Sequence, residues 1–236
     1  MKSRPPTLRP IVAFTLIELI TVIAIIAILM SLLFPVLAMV RENTRRSKAH
    51  TVIKSIVHSC KSYASDYGKY PPIPGAVADG ANSGNGETNS YYSYGDTESG
   101  KCKMTNNHLF DVLRAIARNE NADNQLNKRR QSYFEQEKAF DATNPREGFA
   151  DGNEFTGELQ GQLLDPWGKQ YCIVLAADND QFLKLSAFFQ DLREPIRNSA
   201  AVFSMAKNNE IGGKGYQGRL RKEHSKETPE DIVSWE

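Results

Sequence analysis

One carboxylate stands alone in the most apolar stretch of this chain. Residues 14–40 hold 22 apolar residues of 27, and Glu18 is the only charged side chain among them. A carboxylate within a membrane helix costs about 2.5–3.5 kcal/mol on insertion scales, so it normally has a partner or a function. No basic side chain inside the stretch can reach it; the nearest is Arg9. Two readings follow. In the first, Glu18 lies near a membrane interface and extends its head to water. In the second, a cut between Ala13 and Phe14 creates a free amine at Phe14. That amine, on this chain or a neighbouring copy, would neutralise Glu18 within the membrane.

The other reactive groups form no recognisable catalytic set. His50, His58, His108 and His224 are isolated and lack metal-ligand spacing. There is no nucleophile elbow and no phosphate-cradling loop, and Gly212-Gly213-Lys214-Gly215 reads as a turn. The chain is therefore expected not to be an enzyme. Cys60, Cys102 and Cys172 have no zinc-type spacing. In an oxidising compartment two of them would pair and leave one free. Cys60 falls on an apolar helix stripe, where a buried thiol is the default. The net charge of +1 argues against a protein held to nucleic acid by phosphate neutralisation. Lys128, Arg129 and Arg130 read as a solvated surface cluster.

The elements that must position Glu18 are unevenly distributed. The chain has 236 residues and a mean hydropathy of −0.47. Outside residues 14–40 only roughly 34% is apolar. Residues 1–13 carry Lys2, Arg4 and Arg9, no acid and three prolines, so they form no regular helix. The apolar run that follows exceeds the 20 or so residues needed to cross a ~30 Å hydrocarbon core. It is too long for a secretory signal. Arg41, Arg45, Arg46, Lys48 and Lys54 follow it, and charge alone slightly favours a cytoplasmic C-terminus. The first four of these read as a solvated face near lipid headgroups, or as partners for acids of a neighbouring subunit.

Beyond Pro35 the apolar pattern thins to a stripe. Val36, Leu37, Val40, then Val52, Ile53, Ile56, Val57, Cys60, Tyr63, Ala64 and Tyr67 recur at three- and four-residue spacing, one face of an amphipathic helix. This predicts a single helix from 14 to about 68, ~80 Å long, bent or locally broken at Pro35. Residues 75–100 read as a loop, since 13 of 26 are Gly, Ser or Asn, with Tyr91, Tyr92 and Tyr94 packing it down. Residues 107–119 read as a second helix with Leu109, Phe110, Val112, Leu113 and Ile116 inward. Asp165-Pro166-Trp167-Gly168 is a turn signal. Residues 171–175 read as a strand, 178–180 as a turn, and 182–185 as the return strand. Residues 201–205 and 231–235 are further strands. The expected class is α+β, a long helix backed by a small antiparallel sheet.

The run Phe14, Thr15, Leu16, Ile17, Glu18 resembles the processing and assembly signal of type IV pilins and type II secretion pseudopilins. Glu18 is the fifth residue after the cut, as in that family, and Pro35 the twenty-second. Ala13 stands where the family usually has Gly, and it too is small. Asp66-Tyr67-Gly68-Lys69-Tyr70-Pro71-Pro72, Asp165-Pro166-Trp167-Gly168, Val202-Phe203-Ser204 and Asp231-Ile232-Val233-Ser234-Trp235 resemble the major pseudopilin, in family order. Residues 75–105, 121–160 and 214–229 fit poorly and resemble insertions.

The resemblance implies a pilin-like fold with three parts: a leader at 1–13, a long helix at 14–68 that spans the membrane at 14–34, and a periplasmic domain at 69–236. It implies cleavage after Ala13 by a prepilin peptidase and methylation of Phe14. The mature chain would have 223 residues and a net charge of −2. It also implies inner-membrane anchoring with a periplasmic C-terminus, against the charge count above. Its partners would be further copies and other pseudopilins in a filament, with Glu18 and Pro35 serving assembly. No cofactor follows from the residues themselves. The resemblance suggests a weak calcium site in the C-terminal loop, with Asn208 where the family has Asp, together with Asp231 and backbone oxygens. A true type IV pilus subunit shares the N-terminal signal. Cys172, the last cysteine, lies too far from the end for that family's C-terminal disulfide loop. A membrane-anchored enzyme or binding protein remains the reading from another class, and it predicts no cleavage at Ala13.

Overall fold

The computed structural model describes residues 15–79, 90–98, 100, 102–139, 141, 143–177, 182–183, 185, 188–189, 195–206 and 232–234. The chain divides into two compact units, Met1–Thr44 and Arg45–Glu236. Helix α1 (Leu16–Tyr67) is continuous through Pro35, which offers no N–H to the Ser31 carbonyl. It stops at Gly68, whose φ of 75° lies in the left-handed region that ends helices.

In the first unit α1 presents its apolar side chains to the surroundings. Every residue from Leu16 to Val40 is exposed, including Leu16, Ile28, Leu32 and Phe34 at 62–76%. In the second unit the same helix buries Ala49, Ile53, Ile56, Cys60 and Tyr63. Their alternating spacing of four and three keeps them on one face.

That face meets a five-stranded antiparallel sheet. In chain order its strands are β1 (Val77–Asp79), β2 (Ser90–Tyr94), β5 (Cys172–Ala176), β6 (Ala200–Ser204) and β7 (Ile232–Val233), and they lie side by side in that same order. A small separate pair joins β3 (Gly148–Phe149) to β4 (Leu163–Leu164). Helix α2 (Asn107–Leu113) lies between β2 and β3 in sequence.

Alternation along the strands sorts side chains onto the two sheet faces. Tyr94, Ile173, Leu175, Ala200 and Val202 join the α1 residues, Leu109, Phe110 and Leu113 in one core. Tyr91, Cys172, Val174, Ala201 and Phe203 turn to the opposite face. There Leu183, Leu185, Phe188 and Phe189 cover them, with both Phe188 and Phe189 set edge-on to Phe203. Central strands β5 and β6 are therefore buried on both sides, which explains their continuous apolar runs.

Three expectations need correction. The segment 75–100 is not wholly loop, because β1 and β2 come from it, with Tyr91 and Tyr94 as core residues. The run 182–185 is not the strand returning beside β5; β2 and β6 take both edges of β5, and among the described residues Leu183 makes an isolated bridge to Ile196. Helix α2 is shorter than 107–119. Ala115 turns into the left-handed region, and Arg118 and Asn119 fold back to grip the buried Asp111 carboxylate.

The charged stretch after α2 is ordered by buried amides rather than by strands. Asn127 Nδ2 donates to the Val112 and Gln131 carbonyls, and Asn121 Nδ2 to the Ile116 carbonyl. Asn106 bridges β4 and the start of β5, donating to the Leu163 and Tyr171 carbonyls and accepting from the Leu163 N–H. Each amide supplies the partners that irregular buried backbone needs.

Candidate functional site at the N-terminal helix

Helix α1 begins with a reciprocal cap. The Thr15 carbonyl accepts the Leu19 N–H at 3.3 Å, which makes Thr15 the N-cap. Its hydroxyl accepts the Glu18 N–H at 3.3 Å. In return the Glu18 Oε2 accepts the Thr15 N–H at 2.8 Å and the Thr15 hydroxyl at 2.7 Å. This is the capping box of a Thr followed three residues later by a Glu. Two N–H groups that a helix start leaves open are thereby satisfied, and the carboxylate sits at the positive end of the helix dipole.

Glu18 is thus not without an in-chain partner. The Thr-Leu-Ile-Glu spacing is itself the sequence signature of such a cap, whereas charge alone singles out the acid without its partner. Both donors are neutral, so the cap supplies charge-assisted hydrogen bonds and the helix dipole but no opposite full charge. Glu18 remains exposed in the single chain.

Leu16 to Val40 supplies the setting. Helix α1 is long and apolar enough to cross a membrane, and none of its most apolar 18-residue window is buried by protein. A helix apolar on every side needs an apolar solvent or other helices around it. Thr21 and Ser31 return their hydroxyls to the Glu18 and Ile28 carbonyls, so these polar side chains are satisfied locally. Pro35 lies within this helix. Ala13 and Phe14 lie outside the described residues, as do Asn208 and Asp231 of the suggested calcium loop. Among the described residues no group of three His, Cys, Asp or Glu side chains stands together as a metal cage.

The basic residues after the apolar run are partly engaged within the chain. Lys48 Nζ lies 2.6 Å from Glu147 Oε1, with both side chains about half exposed. Arg129, expected as part of a solvated cluster, pairs with Asp66 at 3.3 Å and lies over the Tyr67 ring. Its neighbourhood closes the end of α1, where Tyr63 and Ser59 donate to the Leu126 and Tyr133 carbonyls and Tyr133 donates to Asp66.

The Asp165-Pro166-Trp167-Gly168 motif is a buried clasp. Asp165 Oδ1 accepts the Trp167 and Lys169 N–H groups at 2.9 and 2.8 Å. Its Oδ2 accepts the Ser204 hydroxyl at 2.6 Å, and Ser204 Oγ accepts the Ala206 N–H. Burial raises the Asp165 pKa above the ordinary carboxylate value, against the lowering effect of these bonds. Two motifs far apart in sequence thus meet as one hydrogen-bonded corner at the end of β6.

No protein-family model, no curated protein and no solved structure matches this chain. The fold and the capped apolar helix define the class: an α+β protein whose N-terminal helix is a candidate membrane span.

Proposed function

We propose that this chain is the subunit of a periplasmic filament, of the pilin-like kind and most like a major pseudopilin of type II secretion. One observation carries the reading. The first part of α1 is apolar and exposed on every side, and its only carboxylate is set in the cap that directly follows the candidate cut. In this reading a prepilin peptidase cleaves after Ala13 and methylates the new amine of Phe14. The helix holds the subunit in the inner membrane until assembly, with the Arg45–Glu236 unit in the periplasm.

The physical cost of assembly lies in taking an apolar helix out of lipid. Packing against the same stretch in neighbouring copies offsets it. Glu18 adds direction. In the single chain its partners are the neutral Thr15 N–H and hydroxyl. In the filament a Phe14 amine provides the opposite charge, a stronger partner where water is absent. The carboxylate therefore passes from a local cap to an intersubunit pair.

Intact-mass measurement of the membrane-extracted protein tests this reading. The expected mass corresponds to 223 residues plus one methyl group. Full-length protein in cells holding an active prepilin peptidase would overturn it. Glu18→Ala is expected to be cleaved normally and to fail in assembly.

A further inference from the structure

Two of the three thiols meet behind a glycine. Strands β2 and β5 pair with Tyr94 opposite Ile173, so the next residue, Gly95, comes opposite Cys172. The chain then loops back: the Gly95 N–H donates to the Met104 carbonyl at 2.7 Å, and the Lys103 N–H to the Ser93 carbonyl. This return brings Cys102 beside the start of β5. A Cβ on Gly95 would lie 2.9 Å from the Cys172 Sγ and 3.0 Å from the Cys102 Sγ. Both sulfurs thus occupy the space that the missing side chain leaves. Both are buried in the core on the face of the sheet away from α1. Cys60 belongs to the other core, on the α1 face. No third thiol competes.

We propose that Cys102 and Cys172 are a redox pair that closes to a disulfide, tying the connection between β2 and α2 to central strand β5, while Cys60 stays a thiol. Closure brings the two sulfurs to about 2 Å. The oxidant is a disulfide-bearing donor such as glutathione disulfide. Cys102 attacks first, because it sits in a connection whereas Cys172 is held in the ladder as the first residue of central strand β5. Its thiolate displaces one thiol of the donor and forms a mixed disulfide. The Cys172 thiolate then attacks the Cys102 sulfur and releases the second thiol. Two S–H bonds are lost and one S–S bond forms. The donor's disulfide takes the two electrons, and the two protons leave with its thiols. Only the supply of oxidant in the cell rests on the periplasmic reading above.

The test uses the full chain in detergent, reduced and then equilibrated with glutathione disulfide. The expected result is a loss of about 2 Da, from two thiol hydrogens. A single linked peptide pair should join Cys102 to Cys172, and Cys60 should be alkylated only after denaturation. Cys60→Ala is expected to close in the same way, and Cys102→Ser to show no loss. A lasting glutathione adduct on Cys102, three free thiols, or a bridge that includes Cys60 would overturn the proposal. A second arm measures the same mass in chain alkylated within cells. The bridge found there supports both readings. Free thiols there, with closure in detergent, uphold the pair and count against the periplasmic placement.

Discussion

The two stretches of helix α1 have similar backbones and opposite surroundings. Along Leu16–Val40 the apolar residues run right round the helix and all are exposed. From Ala49 to Tyr63 they keep to one face and are buried against a sheet. The difference teaches that how far apolar residues spread round a helix sets the kind of partner it needs. An apolar cylinder needs lipid or its own kind. A stripe needs one complementary surface.

The largest expected contrast comes from trimming one isoleucine in each stretch. Ile56→Ala should cost about 2–5 kcal/mol of stability, because a buried side chain leaves a cavity. Ile28→Ala removes an exposed side chain and should leave the unfolding of the Arg45–Glu236 unit unchanged. Denaturant unfolding of the detergent-solubilised chain separates the two, and equal effects would break the comparison.

The surface that receives the stripe can be loosened from a distance. Asp165→Ala strands the Ser204 hydroxyl and the Trp167 and Lys169 N–H groups, with an expected loss of about 1–3 kcal/mol. Membrane retention, which depends on the first stretch, should not change. Release of the variant from membranes would contradict that separation.

Alkali offers a sharper test of the stripe. Burial pushes the Cys60 thiol from 9.0 up to about 12. The unfolded thiol ionises first, so this group's contribution is fully present below pH 9 and is lost as pH rises towards about 12. The slope is at most about 1.4 kcal/mol per pH unit, and Cys60→Ala should reduce it by that amount. An unchanged slope in the variant would mean that Cys60 does not titrate this way. The smallest effect is expected at Lys48. Its ion pair with Glu147 is half exposed, so Lys48→Ala should change stability by less than about 1 kcal/mol.

The elements closest to the sequence pattern were the most legible. The long helix, its stop at Gly68, and strands near 172–176 and 200–204 follow from periodicity and turn chemistry. The missed elements depended on partners far along the chain. Strand β2 is Ser and Tyr flanked by glycine-rich sequence, and it became a strand because β5 offers it a ladder. The run 182–185 had strand composition but was displaced from the sheet edge by β6, and it became a cover instead. Helix α2 ended early because the Asp111 carboxylate draws Arg118 and Asn119 back. At the candidate site Glu18 stood out by charge. Its bond to Thr15 follows from the Thr-x-x-Glu spacing, because a helix start places residue N3 beside the N-cap.

The sequence by itself determined that one long helix has two kinds of surface and a single acid near its start. Local pattern suffices there, since a helix fixes which residues share a face. Only the tertiary structure decided which strands pair and that β5 and β6 are buried on both faces. It alone brought Asp165 to Ser204, and Cys102 to Cys172 over Gly95. These meetings join residues tens of positions apart, and no local periodicity encodes which distant segment will lie alongside.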